Sequence, residues 1–258
     1  MSDHHVEVNG IRLHFRESGS GPALLLIHGF SLTGAFWDSF IPFLASDHHV
    51  IVVDLPGHGS STGHRGPYRY RQVAADMYAL LDSLGLDRVR AIGQSSGGNT
   101  LVHMATQQPA RMEAMVVIAG GHRLLASARE LGRSITATFE GFPYKDLSLA
   151  LQPGGEPQAR NLVDTLRDVF DDYEDMNFTP ELLSQIRART LLIWGDRDPF
   201  YPIEVVVEMY RAIPHAALWV VPFQGHTPLW PELGGSAEAA REFRKVVRRF
   251  LSDSDGQS

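Results

Sequence analysis

Apolar residues in this chain gather in two rhythms that alternate along its length. "ALLLI" (Ala23 to Ile27) is a continuous apolar run, the pattern of a strand covered on both faces. "HHVIVVD" (His48 to Asp54) is a second such run. Ahead of them, "HHVEV" and "IRLHFRES" flank Asn9-Gly10, two residues that tolerate positive φ, which predicts a β-hairpin. The period changes at Tyr70, after which Val73, Met77, Leu80, Leu81 and Leu84 recur at the spacing of one helix face. A strand "RVRAIG", a helix over 97–107 and a strand "MEAMVVIAG" follow. Near the C-terminus "TLLIWG" and "ALWVVPF" repeat the strand signature, and a last amphipathic helix sets Ala240, Phe243, Val247 and Leu251 on one side.

Strands alternating with helices predict an α/β fold, with a mostly parallel central sheet and helices on both faces. One segment breaks the rhythm. Residues 122–187 are mainly helical, hold no convincing strand and contain two turn-rich spots, "GFPY" and "QPGGEPQ". They are expected to form a helical cap inserted over the carboxyl edge of the sheet, with 1–121 and 188–258 as the core. The tail "SDSDGQS" is expected to fray.

Composition narrows the field of functions. The chain has 258 residues, enough for one large domain with a buried core. Its 23 Lys and Arg against 30 Asp and Glu leave a net charge of −7, which argues against a nucleic-acid partner. There are no cysteines, so disulfides, thiolate metal sites and a cysteine nucleophile are excluded. "MSDHHVEVNG" lacks the apolar centre of a signal peptide, and no apolar stretch approaches the roughly 20 residues that span a bilayer. The expectation is a cytoplasmic protein, monomer or homodimer, that takes a small molecule without cofactor, metal, membrane or nucleic acid.

"GQSSG" (Gly93 to Gly97) lies between a strand and a helix, where ligands bind in open α/β sheets. It matches G-x-S-x-G with Ser95 central, a turn so tight that the residues two before and two after the serine must be small. Centring Ser96 would put Gln94 in a crowded position, so Ser95 is the candidate nucleophile. Ser96 then offers its backbone N–H at the helix start. The other role for such a segment is a plain turn or a phosphate cradle, but no Walker lysine follows.

A serine hydroxyl needs a base, and the base needs an orienting carboxylate. With this motif the partners follow in the order acid, then histidine. Of twelve histidines, His226 in "QGHTP" sits in a loop just after the last strand; His122 and His215 stay open as alternatives. His103 is carried away on its own helix. For the acid, Asp196 and Asp198 compete in "GDRDP". A carboxylate directly after a strand caps the turn, so Asp198 is chosen. The second oxyanion donor is expected in "HGFSLTG", at the Phe30 N–H beside that of Ser96. His28 is read as shaping that loop.

"HGF", "DLPGHGSS", "GQSSGG", "GDRDP" and "GHTP", in this order, resemble the α/β-hydrolase superfamily, and within it the small capped bacterial serine hydrolases of esterase and lactonase type. The resemblance implies a nucleophile at Ser95, an acid at Asp198, a base at His226 and a supporting loop at Asp54 to Ser61. It implies hydrolysis of a carboxylic ester or lactone of a small, largely apolar substrate through an acyl-enzyme. A serine rather than an aspartate speaks against haloalkane dehalogenases and epoxide hydrolases. Carbon–carbon bond hydrolysis, perhydrolase-like chemistry and a small-ligand receptor with a retained triad are the alternatives. Phe139, Phe142, Tyr144, Leu147, Leu149 and Leu151 are expected to line a pocket above Ser95, and Phe30, Phe36 and Trp37 its floor, or else to pack the cap. Arg123, Arg129 and Arg133 are candidates for a substrate carboxylate or plain surface residues. The acidic stretch 168–178 is expected to be a solvated helix face.

Overall fold

The computed structural model describes residues 1–252, so the end of the tail expected to fray, 253–258, lies outside the described residues. Strands β1 (Ser2–Val8) and β2 (Ile11–Ser18) form the hairpin, turning at Asn9 with φ 47° and Gly10 with φ 82°. Then come β3 (Ala23–Ile27), a short α1 (Ile41–Leu44), β4 (His49–Val53), α2 (Tyr70–Ser83), β5 (Val89–Gln94), α3 (Ser96–Gln107) and β6 (Met112–Ile118). The interruption carries α4 (Ala126–Ile135), α5 (Lys145–Leu151), α6 (Gly155–Asp171) and α7 (Pro180–Leu183). The chain returns as β7 (Arg189–Gly195), α8 (Ile203–Ala212), β8 (Ala216–Val221) and α9 (Ala237–Ser252). The sheet order is β1-β2-β4-β3-β5-β6-β7-β8. Every pairing beyond the first two is parallel.

The unbroken apolar runs follow from this layering. In β3, Leu25 and Ile27 pack with α2, α3 and α8, while Leu24 and Leu26 pack against α1 and α9 on the other face. Each such fully buried side chain contributes about 1.5–3 kcal/mol. α8 was not expected from the sequence. Its "VVV" reads as strand by propensity, but burial of Val205, Val206 and Met209 against the sheet overrides that preference. In α9 the buried row is Ala239, Phe243, Val247 and Leu251, with Ala240 only partly covered.

The insertion is fastened at several points. Arg123 and Asn177 form an antiparallel bridge that ties its two ends together. Gln152 accepts the Gly59 N–H at 2.7 Å and donates to the Ser31 carbonyl at 3.1 Å. Gln158 donates to the carbonyls of Gly57 and Gly59 at 3.0 and 2.9 Å. The acidic stretch is therefore more than a solvated face. Asp175 is buried and accepts the N–H groups of Tyr70 and Arg71, whose position at the start of α2 leaves them without intrahelical acceptors. Arg71 Nε joins it at 2.8 Å. A carboxylate more than a hundred residues away in the chain thus caps α2, where the helix dipole favours negative charge. Asp175→Ala should lower the unfolding free energy by about 1.5–3 kcal/mol, the worth of hydrogen bonds to a charged group, in urea titrations.

Candidate active site

At the junction of β5 and α3 the chain reverses within one residue. Ser95 has φ 51° and ψ −114°, a conformation that side chains rarely adopt. Backbone crowding explains the glycines around it. A Cβ on Gly93 would lie 2.5 Å from the Gly97 carbonyl carbon, and one on Gly97 would lie 2.1 Å from the Ile27 oxygen. The Ser95 N–H donates to the Ile118 carbonyl at 2.8 Å, pinning the turn to β6. Ser96 opens α3, so its N–H has no intrahelical acceptor.

Two later loops bring their side chains to this turn. His226 Nε2 lies 2.8 Å from Ser95 Oγ, and His226 Nδ1 lies 2.8 Å from Asp198 Oδ2. The other carboxylate oxygen of Asp198 accepts the N–H groups of Phe200 and Tyr201 at 2.8 and 3.1 Å. A carboxylate held by backbone donors directs the imidazole proton to Nδ1, leaving Nε2 to accept from the serine. Phe200 meets the imidazole edge-on at 4.9 Å between centroids and Tyr201 stacks near it at 6.0 Å, which restrains the ring. Asp196 instead accepts the Gln224 N–H at 3.2 Å and joins the two loops. The rival histidines lie elsewhere: His122 bonds Glu208 at 3.1 Å, His215 is exposed, and His103 sits 3.6 Å from Asp175.

The loop after β3 is built on His28. Its Nε2 accepts the Leu55 N–H at 3.0 Å, so the proton is on Nδ1, which donates to the Gly29 carbonyl at 2.6 Å. Burial holds this ring neutral by lowering its pKa. Asp54 accepts from Gly34 N–H at 2.7 Å and Ser60 N–H at 3.0 Å. His58 stacks edge-on against Phe30 at 4.6 Å, and burial brings its pKa down to about 3. Segment 54–61 thus supports the loop carrying Phe30.

A cavity opens over Ser95, and the expected lining is corrected in part. Phe142, Tyr144 and Leu147 line it from the insertion, and Phe30 lines it from the core. Phe139 and Leu149 pack inside the insertion, Leu151 is absent from the cavity wall, and Trp230 is stacked on by Phe36 and met edge-on by Trp37 on the other side of the sheet. Sequence reasoning missed Leu166, Val169 and Phe170 of α6, and also Tyr70, Phe200 and Tyr201. The α6 residues share one helix face, a signal that was present but does not say what the face meets. None of the three arginines reaches the cavity. Arg123 grips Glu208 at 2.7 and 2.9 Å, Arg133 pairs with Asp171 at 2.6 Å, and Arg129 donates to the carbonyls of Phe170 and Asp172 at 2.6 and 2.8 Å. Among the described residues no lysine or arginine lines the cavity.

An eight-stranded sheet of this order, with a serine at a G-x-S-x-G turn facing a histidine and an aspartate, defines the α/β-hydrolase architecture. The family model described as "alpha/beta hydrolase fold" matches residues 22–169, and the chain belongs to that family. It is 28% identical to a pimeloyl-acyl-carrier-protein methyl ester esterase of Vibrio parahaemolyticus, over 93% of this chain and 98% of that one. It is also 28% identical to a 2-hydroxy-6-oxononadienedioate/2-hydroxy-6-oxononatrienedioate hydrolase of Burkholderia vietnamiensis, over 93% and 91% of the two chains. The crystal structure of the enol-lactonase from Burkholderia xenovorans LB400 superimposes with a TM-score of 0.77 at 21% identity, covering 97% of this chain and 100% of that one. These relatives support a catalytic hydrolase role. Among the described residues no helix is long and apolar enough to cross a membrane.

Two outcomes follow from the packing. Gly97→Ala should cost about 1–3 kcal/mol, because its Cβ meets fixed backbone. Gly225→Ala, where nothing lies within 4 Å, should stay within about 0.5 kcal/mol, and urea titrations separate the two. Acid should also destabilise the fold. Burial holds His58 at about 3 and His122 at about 4, whereas both titrate near 6.5 when unfolded. Between those values only the unfolded chain takes up the proton. Their stabilising contribution is complete above about pH 6.5 and falls by about 1.4 kcal/mol per pH unit per histidine below it. Urea midpoints that do not move between pH 7 and pH 5 would contradict the buried, neutral state of these rings.

Proposed function

We propose that this chain is a serine hydrolase that cleaves a carboxylic ester or lactone of a small, uncharged, largely apolar substrate through an acyl-enzyme. The observation that carries the reading is the hydrogen-bonded line from Ser95 through His226 to Asp198 at the base of an apolar cavity. Ser95 Oγ attacks the carbonyl carbon while its proton passes to His226 Nε2, and Asp198 stabilises the resulting imidazolium. The Phe30 and Ser96 N–H groups receive the oxyanion, an effect worth about 10²–10³ in rate per donor. His226 then gives its proton to the leaving oxygen, the C–O bond breaks, and water attacks the acyl-enzyme with His226 again as base. The insertion 122–187 acts as a cap that supplies the apolar wall. In the same reading the protein works in the cytoplasm as a monomer or homodimer and needs no cofactor.

Carbon–carbon hydrolysis is the second reading, favoured by the likeness to the dienedioate hydrolase. A dienedioate carries carboxylates, and burying one without a cation is costly. The cavity offers no lysine or arginine, which favours the ester. Wild-type protein should hydrolyse p-nitrophenyl butyrate, and Ser95→Ala should lower kcat/KM by at least about 10³-fold. Cleavage of a ring-fission dienoate with no measurable esterase activity would replace this reading with the second.

A further inference from the structure

Ser96 brings a hydroxyl as well as an amide to the start of α3. Ser96 Oγ lies 3.0 Å from the phenolic oxygen of Tyr70, both residues are buried, and both line the cavity over Ser95. The two hydroxyls own two hydrogens, and their mutual bond uses one. Among the described residues the other hydrogen has no protein acceptor. Buried polar hydrogens are nearly always satisfied, so one left over at a cavity wall points to something that enters the cavity.

Either hydroxyl can present it, and the neighbours hold the pair in place. Asn99 Oδ1 accepts the Gly121 N–H at 2.9 Å, which turns its amide nitrogen toward the Tyr201 phenol at 2.9 Å. Burial pushes the Tyr70 phenol up to about 12, against hydrogen bonds from Ser96 and Asn99 that pull it down. The phenol therefore stays protonated throughout the working range, so the pair keeps both of its hydrogens. Asp175 holds the Tyr70 backbone at the start of α2.

We propose that the Tyr70–Ser96 hydroxyl pair is a third hydrogen-bond donor to the acyl oxygen, beside the Phe30 and Ser96 amides. This rests on the serine-hydrolase reading above. A carbonyl oxygen has two lone pairs, and two amides satisfy it. The tetrahedral alkoxide formed when Ser95 attacks has three. A third donor therefore gains its full acceptor only as the reaction proceeds, which is the condition for raising kcat rather than tightening substrate binding. The proton stays on the hydroxyl throughout, and no bond to it breaks.

The test compares p-nitrophenyl butyrate with its thiono ester, in which C=S replaces C=O and sulfur accepts hydrogen bonds weakly. Tyr70→Phe should lower kcat on the oxygen ester by about 10–100-fold with little change in KM, and lower the thiono rate by less than about 3-fold. Ser96→Ala, which keeps the phenol but removes its partner, should show the same oxygen-selective loss at smaller size. It decides the matter if Tyr70→Phe does not fold. Labelling of Ser95 by a phosphonate should remain stoichiometric in both. Equal losses on the two esters, or no loss on the oxygen ester, overturn the proposal while leaving the hydrolase reading in place. A wild-type protein that neither turns over the ester nor takes the label at Ser95 overturns both.

Discussion

The organising constraint is the absence of room for a Cβ where β5 becomes α3. Three backbone segments converge there: the turn itself, the end of β3 at Ile27 and His28, and the loop after β6 at Gly120. Because Gly93 and Gly97 let these approach within van der Waals contact, Ser95 is forced to positive φ and its hydroxyl stands clear of the sheet. The same contact sets the end of β3, and the loop that carries Phe30, against the start of α3, where Ser96 offers its N–H. The Ser95 hydroxyl and the neighbouring amide are thus placed by one steric event, which costs strain locally and is over-determined by the parallel strands on either side.

Around that turn the structure spends its buried polar groups on holding things still. His28 can bond both Leu55 and Gly29 only as one neutral tautomer, and Asp54 joins Gly34 to Ser60. Asp198 has its second oxygen taken by two backbone amides, so its first is committed to His226. Gln152 then ties the insertion to Ser31 and Gly59 and Asp175 ties it to the start of α2, so the cavity wall and the loop carrying Phe30 share supports. Donors and dipoles arranged in advance need not reorganise when charge develops, and in a water-poor cavity they act at short range.

How much of this could be read from residues alone differs by level. The strand runs around Leu25 and Ile51 and the Asn9-Gly10 turn were legible because burial on both faces and positive φ leave local traces. Ser95, Asp198 and His226 each stood out by position after a strand, and the structure brings their side chains within hydrogen-bond range. What could not be read was the direction of amphipathic faces. Phe139 and Phe142 are three residues apart and pack in the same cluster inside the insertion, yet only Phe142 also reaches the cavity wall. α8 was hidden by its valines, and Asp175 by a run of acids, since its capped amides lie far away in the chain. Tyr70 carries no local sign of its contact with Ser96, which the fold alone brings beside it.

The cavity's chemistry is uneven, and that unevenness bears on what it can hold. Its upper wall, from Leu147 to Phe170, is aliphatic and aromatic, with no charge to meet a carboxylate or an ammonium. Ser95, Ser96, Tyr70, Gln94, Ser31 and His226 gather polar groups on the core side, and Tyr144, Tyr201 and Thr227 add hydroxyl-bearing side chains to the lining. Gln94 Oε1 and Ser31 Oγ are buried there without partners, so the base is not self-satisfied. On the serine-hydrolase reading proposed above, a ligand suited to this lining carries its acceptors close to the reacting carbon and an uncharged remainder. A lactone or a short ester of an apolar acid has that shape, because both carbonyl and leaving oxygen sit within one bond of the carbon attacked. A dicarboxylate does not, since its far charge would lie against Phe170 and Leu166, where no compensating group exists and transfer from water would cost several kcal/mol.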